Sequence, residues 1–107
     1  MRLYLSGPIT GVPELNKPAF TVAASRLRAG GHTVVNPHEI GSPSELMLPW
    51  ADYLRADLIA MLQGVDAVAV LPWWHNSRGA RLEVHVARAL GWQVKDWKDW
   101  LHLTDTP

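Results

Sequence analysis

Apolar residues form four short runs along the chain, each with the length of a β-strand. The run over residues 65–71 is almost continuously apolar, which is typical of a central parallel strand covered on both faces. The first and second runs end at turn residues, Gly7 with Pro8 and then Pro37. The predicted strands span residues 2–5, 32–36, 65–71 and 92–95.

Between these strands, apolar residues recur at the spacing of an amphipathic helix. Each of the three longer helical segments ends at a glycine, a residue that commonly closes helices. The predicted helices span about residues 17–29, 50–63 and 78–90, with a short helical segment over 96–102. We expect residues 37–49 to form a loop and the last four residues to fray.

The alternation of strands and helices predicts the fold class. It indicates an α/β protein with a three-layer α/β/α, Rossmann-like (flavodoxin-like) architecture and a four- to five-stranded parallel sheet. A chain of 107 residues without an internal repeat or linker is expected to form one domain over residues 1–107. Ligands of such folds bind beyond the carboxyl ends of the strands, which directs attention to the loops 6–10, 36–39 and 72–78.

Composition narrows the classes of partner. Ten basic and ten acidic residues give no net charge, which argues against binding of polymeric nucleic acid or an anionic membrane. The absence of cysteine excludes disulfides and thiolate metal sites, and no histidines stand at metal-ligand spacing, so neither metal nor cofactor is expected. With no apolar run of membrane-spanning length and no signal core at the N-terminus, we expect a cytoplasmic protein.

Six tryptophans are unusual in a chain this short, and two interpretations remain open. They are core and helix-docking residues, or they form an exposed set that makes an oligomer interface or a base-stacking wall. The tryptophans stand at positions 50, 73, 74, 92, 97 and 100.

Glu83 is the first candidate for chemistry. At about 100° per residue, it falls within the same arc of the third long helix as the apolar positions that pack on the sheet. Those positions are Ala80, Val84, Ala87 and Leu90. A carboxylate rarely occupies such a face without a partner or a purpose. The ordinary alternative, an acidic residue favoured by the helix dipole, explains its place along the helix but not around it.

Three further features have both a functional and a structural interpretation. Asp57 borders the apolar stripe of the second long helix, where it is either a companion of Glu83 or a solvated flanking residue. Residues 75–79 offer a hydroxyl, an amide and a cation at a helix start, which suits either a small anion or ordinary capping by Asn76 or Ser77. The loop 6–11 allows a ligand close to the backbone, although it lacks the dinucleotide-binding and Walker glycine spacings.

Together, these stretches resemble the nucleoside 2-deoxyribosyltransferase superfamily, including its 5′-monophosphate N-glycosidase branch. The resemblance spans roughly residues 2–95. It is carried by residues 3–11, 36–39, 57–58, 65–68 and 77–83.

The resemblance implies roles for individual residues. Glu83 matches the family's nucleophile, Asp57 the aspartate that assists at the base or sugar, and Tyr4 the tyrosine that positions the nucleophile or sugar. Ser77 matches the serine that holds the 5′-phosphate in the monophosphate branch. The remaining substrate-binding candidates are Ser6, Gly7, Pro8, Ile9 and Gly79. The family reaction is a double displacement at the anomeric carbon, and family members are homo-oligomers, so a homodimer or larger assembly is implied.

Three hypotheses about function follow. The leading one is cleavage of the N-glycosidic bond of a nucleoside or nucleoside 5′-monophosphate through a glycosyl-Glu83 intermediate, by hydrolysis or base exchange. The second is a nucleotide-binding or sensing module without turnover. The third is an interaction protein that uses an exposed tryptophan surface.

Overall fold

The computed structural model describes residues 1–40 and 50–101, in which strands and helices alternate. The four strands are β1 Arg2–Ser6, β2 Thr33–Val35, β3 Ala67–Val70 and β4 Gln93–Asp96. Within these ranges the α-helices are α1 Lys17–Ala29, α2 Trp50–Leu62, α3 Arg78–Ala89 and α4 Trp97–Leu101. Short 3-10 segments occupy Pro13–Asn16, Pro37–Glu39 and Trp74–Asn76.

The predicted elements are confirmed in type and order, with two main differences. The third strand is shorter than its apolar run, since Val65 and Leu71 are buried but lie outside the ladder. Pro37–Glu39 and Trp74–Asn76, which were predicted as loops, form 3-10 turns because their carbonyls accept hydrogen bonds three residues on. Most of the predicted loop 37–49 and the predicted frayed end lie outside the described residues.

All strand pairs are parallel, and the strand order is β2-β1-β3-β4. This confirms the α/β, Rossmann-like fold class with a four-stranded parallel sheet. In the sheet, β2 lies on the side of β1 that faces away from β3, and β4 lies on the side of β3 that faces away from β1. The order therefore reverses between β1 and β3, and the crevice beyond their carboxyl ends is where such folds bind ligands.

Side chains of β1 alternate between the two layers of helices. Leu3 and Leu5 join the apolar cluster formed with α1 and α4, which includes the fully buried Phe20 and Trp100. Tyr4 points the opposite way, into a second cluster with residues of α2 and α3 such as Met61, Val84 and Ala87. The face of β1 that carries the even-numbered residues is therefore the face that meets α2 and α3.

A close approach between two chain segments forms the crevice at the strand ends. Gly7 follows β1 directly, and a Cβ atom built at this position would lie 2.8 Å from the Cβ of Leu71, just after β3. Since real Cβ atoms do not approach that closely, a glycine is what allows the two strand ends to pack together. The loops that follow β1 and β3 consequently start side by side.

The tryptophans divide between the core and the surface. Trp97 and Trp100 belong to the core, and the indole N–H of Trp100 donates to the Val68 carbonyl at 3.2 Å. Trp73, in contrast, is 75% exposed, and Trp50 is also exposed. Among the described residues, none of the helices combines the length and the apolar character needed to cross a bilayer.

Candidate active site

Glu83 is a buried carboxylate, with only 5% of its surface exposed. It lies on the face of α3 that packs against the sheet, together with the buried Ala80, Val84 and Ala87. The helix itself starts regularly, because the Ser77 hydroxyl accepts the backbone N–H of Ala80 at 3.2 Å. The position of Glu83 on the packed face, predicted from helical periodicity, is thereby confirmed.

Two hydroxyl groups of β1 hold this carboxylate. The Tyr4 hydroxyl donates to Oε2 of Glu83 at 2.8 Å, and the Ser6 hydroxyl donates to Oε1 at 2.7 Å. Tyr4 and Ser6 are two residues apart on one strand, so their side chains point to the same face. Each carboxylate oxygen therefore has its own donor, and the carboxylate plane has a defined orientation.

The environment of Glu83 has opposing effects on its pKa. Burial raises the pKa of Glu83 to about 7, the hydrogen bonds from Ser6 and Tyr4 lower it, and the charge of Asp57 raises it. Burial, followed by the charges of Glu83 and Asp57, raises the pKa of Tyr4 well above its usual value. Tyr4 consequently keeps its proton and remains a donor, while Glu83 titrates near neutral pH.

Asp57 is the second carboxyl group of the site. It is half-buried on α2, and burial raises the pKa of its side chain to about 7. The charge of Asp57 contributes to the raised pKa of both Tyr4 and Glu83. The structure joins Tyr4 to Glu83 by a hydrogen bond, and the role of Asp57 as their companion stays a prediction.

A cleft of about 410 Å³ opens at the carboxyl ends of β1 and β3. One wall comes from the loop after β1 and the other from the loop after β3. Its lining includes Pro8, Thr10 and Asn16 on one side and Trp73, Asn76 and Ser77 on the other. The described residues that line it carry no ionisable side chain. Glu83 does not line the cleft. Its partner Ser6 stands two residues before Pro8 in the chain, and Ser77 caps the helix that carries Glu83.

The substrate-binding candidates at the end of β1 and in the loop after it separate into two groups. Ser6 is fully buried and its hydroxyl is engaged with Glu83, so its side chain acts on the carboxylate rather than facing the cleft. Gly7 is buried against Leu71, and Ile9 packs on the α1–α4 cluster. Pro8 is the candidate of this loop that lines the cleft.

The polar residues before α3 are arranged mainly for structure. Ser77 lines the cleft, but its hydroxyl caps α3, and Gly79 lies in the first turn near Leu54. The Arg78 guanidinium lies 4.1 Å from the centre of the Trp50 ring, and His75 stacks on Trp74 at 3.8 Å. These contacts favour the capping interpretation over an assembled anion site.

Within the described ranges, no group of three His, Asp, Glu or Cys side chains is arranged to hold a metal ion.

Sequence reasoning missed two features of the site. The hydrogen bond from Ser6 to Glu83 was accessible in principle, because strand alternation places Ser6 and Tyr4 on one face. The second feature, a left-handed backbone at four positions, could not be predicted from the sequence. The positions are Trp73, Glu14, Leu15 and Asn16, and tryptophan, glutamate and leucine carry no signal for positive φ.

Fold and site together define a small Rossmann-like protein with a buried, hydroxyl-held carboxylate beneath the point where the strand order reverses. Residues 1–96 match the family described as a domain of unknown function, DUF4406, and the chain belongs to that family. A comparison with curated proteins finds no match.

The raised pKa of Glu83 predicts how stability changes with pH. A buried carboxyl whose pKa lies above its unfolded value stabilises the fold at low pH and loses that contribution as pH rises to about 7. Glu83→Gln removes this titration. We therefore expect the difference in free energy of unfolding, variant minus wild type, to be about 2 kcal/mol larger at pH 8 than at pH 5. Urea unfolding at both pH values measures the difference.

Asp99→Asn, a change of an exposed carboxylate on α4, is the matched control and should show no such gain. An equal stability difference between Glu83→Gln and wild type at pH 5 and pH 8 would contradict the assignment of a raised pKa to Glu83.

Proposed function

We propose that this protein cleaves the N-glycosidic bond of nucleosides or nucleoside 5′-monophosphates, with Glu83 as the nucleophile. The observation that carries the proposal is the geometry of Glu83. Its carboxylate is buried on a helix face, oriented by one hydroxyl donor on each oxygen, and bonded to Ser6, the last residue of β1, beside the point where the strand order reverses. The resemblance of the sequence motifs to the deoxyribosyltransferase superfamily supports the same assignment.

The chemistry needs a carboxylate in this kind of environment. An oxygen of Glu83 forms a bond to C1′ while the bond from C1′ to the base nitrogen breaks, and the base leaves with the electron pair. Water or a second base then attacks C1′ and releases Glu83. Since positive charge develops on the sugar in both steps, a carboxylate of fixed orientation in a poorly solvated site stabilises the transition state.

Asp57 is suited to supply the proton that the departing base needs. Hydrogen bonds from Ser6 and Tyr4 favour the charged form of Glu83, whereas burial is the influence on the pKa of Asp57. Since the pKa of each acid is raised to about 7, the two together hold about one proton near neutral pH. We assign the ionised form to Glu83, whose two oxygens accept hydrogen bonds, and the protonated form to Asp57. This division gives a nucleophile and a general acid in one site.

The cleft is better suited to uncharged nucleosides than to their 5′-monophosphates. A 5′-phosphate is ordinarily bound by cationic side chains or free backbone donors. The described cleft residues include no cation, and the Ser77 hydroxyl is engaged at the start of α3. We therefore rank nucleosides ahead of their monophosphates as substrates.

We further propose that the protein works as a homo-oligomer, as the resemblance implies. Large apolar side chains are exposed on the layer formed by α2 and α3, among them Ile59, Leu62, Leu82 and Leu90. Such a surface is suited to contact with a second copy.

A binding module without turnover is the second candidate function. It is favoured by the saturation of Glu83, because both oxygens already have a donor and little of the residue is exposed. A carboxylate with a purely structural role would have the same hydrogen bonds and burial. The glycosidase and the binding module are therefore distinguished by whether the protein releases free base.

Replacement of Glu83 tests the catalytic assignment. We expect Glu83→Ala to reduce base release by at least about 1,000-fold, because the group that forms the covalent intermediate is gone. Free base is measured by chromatography after incubation with a panel of deoxynucleosides, ribonucleosides and their 5′-monophosphates.

Asp99→Ala serves as the control on an exposed carboxylate, and circular dichroism establishes that both variants are folded. Base release by Glu83→Ala at the wild-type rate would refute the nucleophile. Absence of release by the folded wild type would favour the binding module.

The pairing of Asp57 and Glu83 predicts a bell-shaped dependence of kcat/KM on pH with its maximum near pH 7. The acid limb reports ionisation of the nucleophile, and the alkaline limb reports loss of the proton that the base needs. We expect Asp57→Asn to lower kcat/KM by about 10²- to 10⁴-fold and to remove the alkaline limb. An unchanged alkaline limb in Asp57→Asn would mean that another group protonates the base.

A further inference from the structure

Trp73 combines three properties that the fold does not require. Its backbone is left-handed, with φ 67° and ψ 17°, a conformation that costs a non-glycine residue roughly 1–2 kcal/mol. Its side chain is 75% exposed, and it lines the cleft at the carboxyl ends of β1 and β3. A glycine or asparagine would occupy this position with less strain and without exposing an indole.

The turn around Trp73 is firmly built. The Trp73 carbonyl accepts the N–H of Asn76 at 3.0 Å, and the Trp74 carbonyl accepts the N–H of Ser77 at 3.0 Å. Trp74 is half-buried, with His75 stacked on it and Arg88 at 5.8 Å from its ring centre. By contrast, no ring or cation from the described parts of the chain stacks on Trp73.

The opposite wall of the cleft is also braced. Asn16 has a left-handed backbone, and its side-chain amide donates to the Pro8 carbonyl at 2.9 Å. The resulting cleft of about 410 Å³ lies within the range that small-molecule sites occupy. Its polar side chains are all neutral, and they include the hydroxyl of Thr10 and the amide of Asn76. These groups suit a ligand with mixed donors and acceptors and no charge.

We propose that Trp73 is a stacking platform for the planar ring of a ligand, an uncharged nitrogen heterocycle whose edge faces Asn76 and Thr10. A flat, exposed indole at a cleft wall binds ring faces of many kinds, and the neutral lining selects against charged ones. The identification of this ring with the departing base rests on the proposed function. Recognition of the ring does not, since it would operate equally in a binding module.

Binding without turnover separates the two ideas. Isothermal titration of the Glu83→Gln protein with deoxyadenosine, deoxyguanosine, thymidine and 2-deoxyribose gives the Kd values. Each substitution at Trp73 is made in the Glu83→Gln protein. Trp73→Asn removes the ring but keeps a residue type that tolerates positive φ, whereas Trp73→Phe keeps a smaller ring. Val22→Asn, which removes an exposed apolar side chain of α1, is the matched control.

We expect Trp73→Asn to weaken nucleoside binding about tenfold or more, with the larger effect for the purines, and to leave 2-deoxyribose unchanged. Trp73→Phe should recover most of the affinity, and Val22→Asn should not alter it. Nucleosides should quench the fluorescence of the protein with Trp73 intact more than that of Trp73→Phe.

Unchanged nucleoside Kd values in folded Trp73→Asn would overturn the stacking role, even if the wild type releases base. An equal loss of affinity for nucleosides and for 2-deoxyribose would also overturn the stacking role, because the effect of the substitution would then be structural. Loss of nucleoside affinity in Trp73→Asn, with no base released by the wild type, would support the platform and refute the glycosidase.

Discussion

The pair of hydrogen bonds from Tyr4 and Ser6 to Glu83 is the interaction on which the site depends. It joins the first strand to the third long helix across 77 and 79 positions of the chain. Removal of either hydroxyl would leave a buried carboxylate oxygen without a donor, which is costly in a poorly solvated interior. The same pair fixes the carboxylate plane and opposes the rise in the pKa of Glu83 caused by burial. Orientation and charge of the candidate nucleophile thus have one origin.

A constraint on the backbone shapes the cleft at the carboxyl ends of β1 and β3. Gly7 allows the ends of β1 and β3 to approach, because any side chain there would collide with Leu71. The reversal of strand order occurs between these same two strands, so their loops diverge over opposite layers and leave a cleft. Left-handed residues on both walls, Asn16 and Trp73, then shape its mouth. The fold supplies the crevice, and a few strained positions adapt it.

Much of this arrangement could be predicted from the sequence, for identifiable reasons. The apolar run before Pro72 predicted a central strand, and helical periodicity placed Glu83 on the packed face, because both signals are local. The partners of Glu83 are not local. Ser6 was expected to contact substrate, whereas its hydroxyl is engaged with a residue far along the chain. The positive φ of Trp73 also escaped prediction, since it arises from the surrounding turn and not from the preference of tryptophan.

The most direct test of the central claim is detection of the covalent intermediate. The protein is quenched in acid during incubation with deoxynucleosides, digested, and analysed by mass spectrometry. We predict that the peptide containing Glu83 carries the added mass of the deoxyribosyl group, and that the Glu83→Gln protein carries none. A sugar on another residue, or base release at the wild-type rate by Glu83→Gln, would contradict the account.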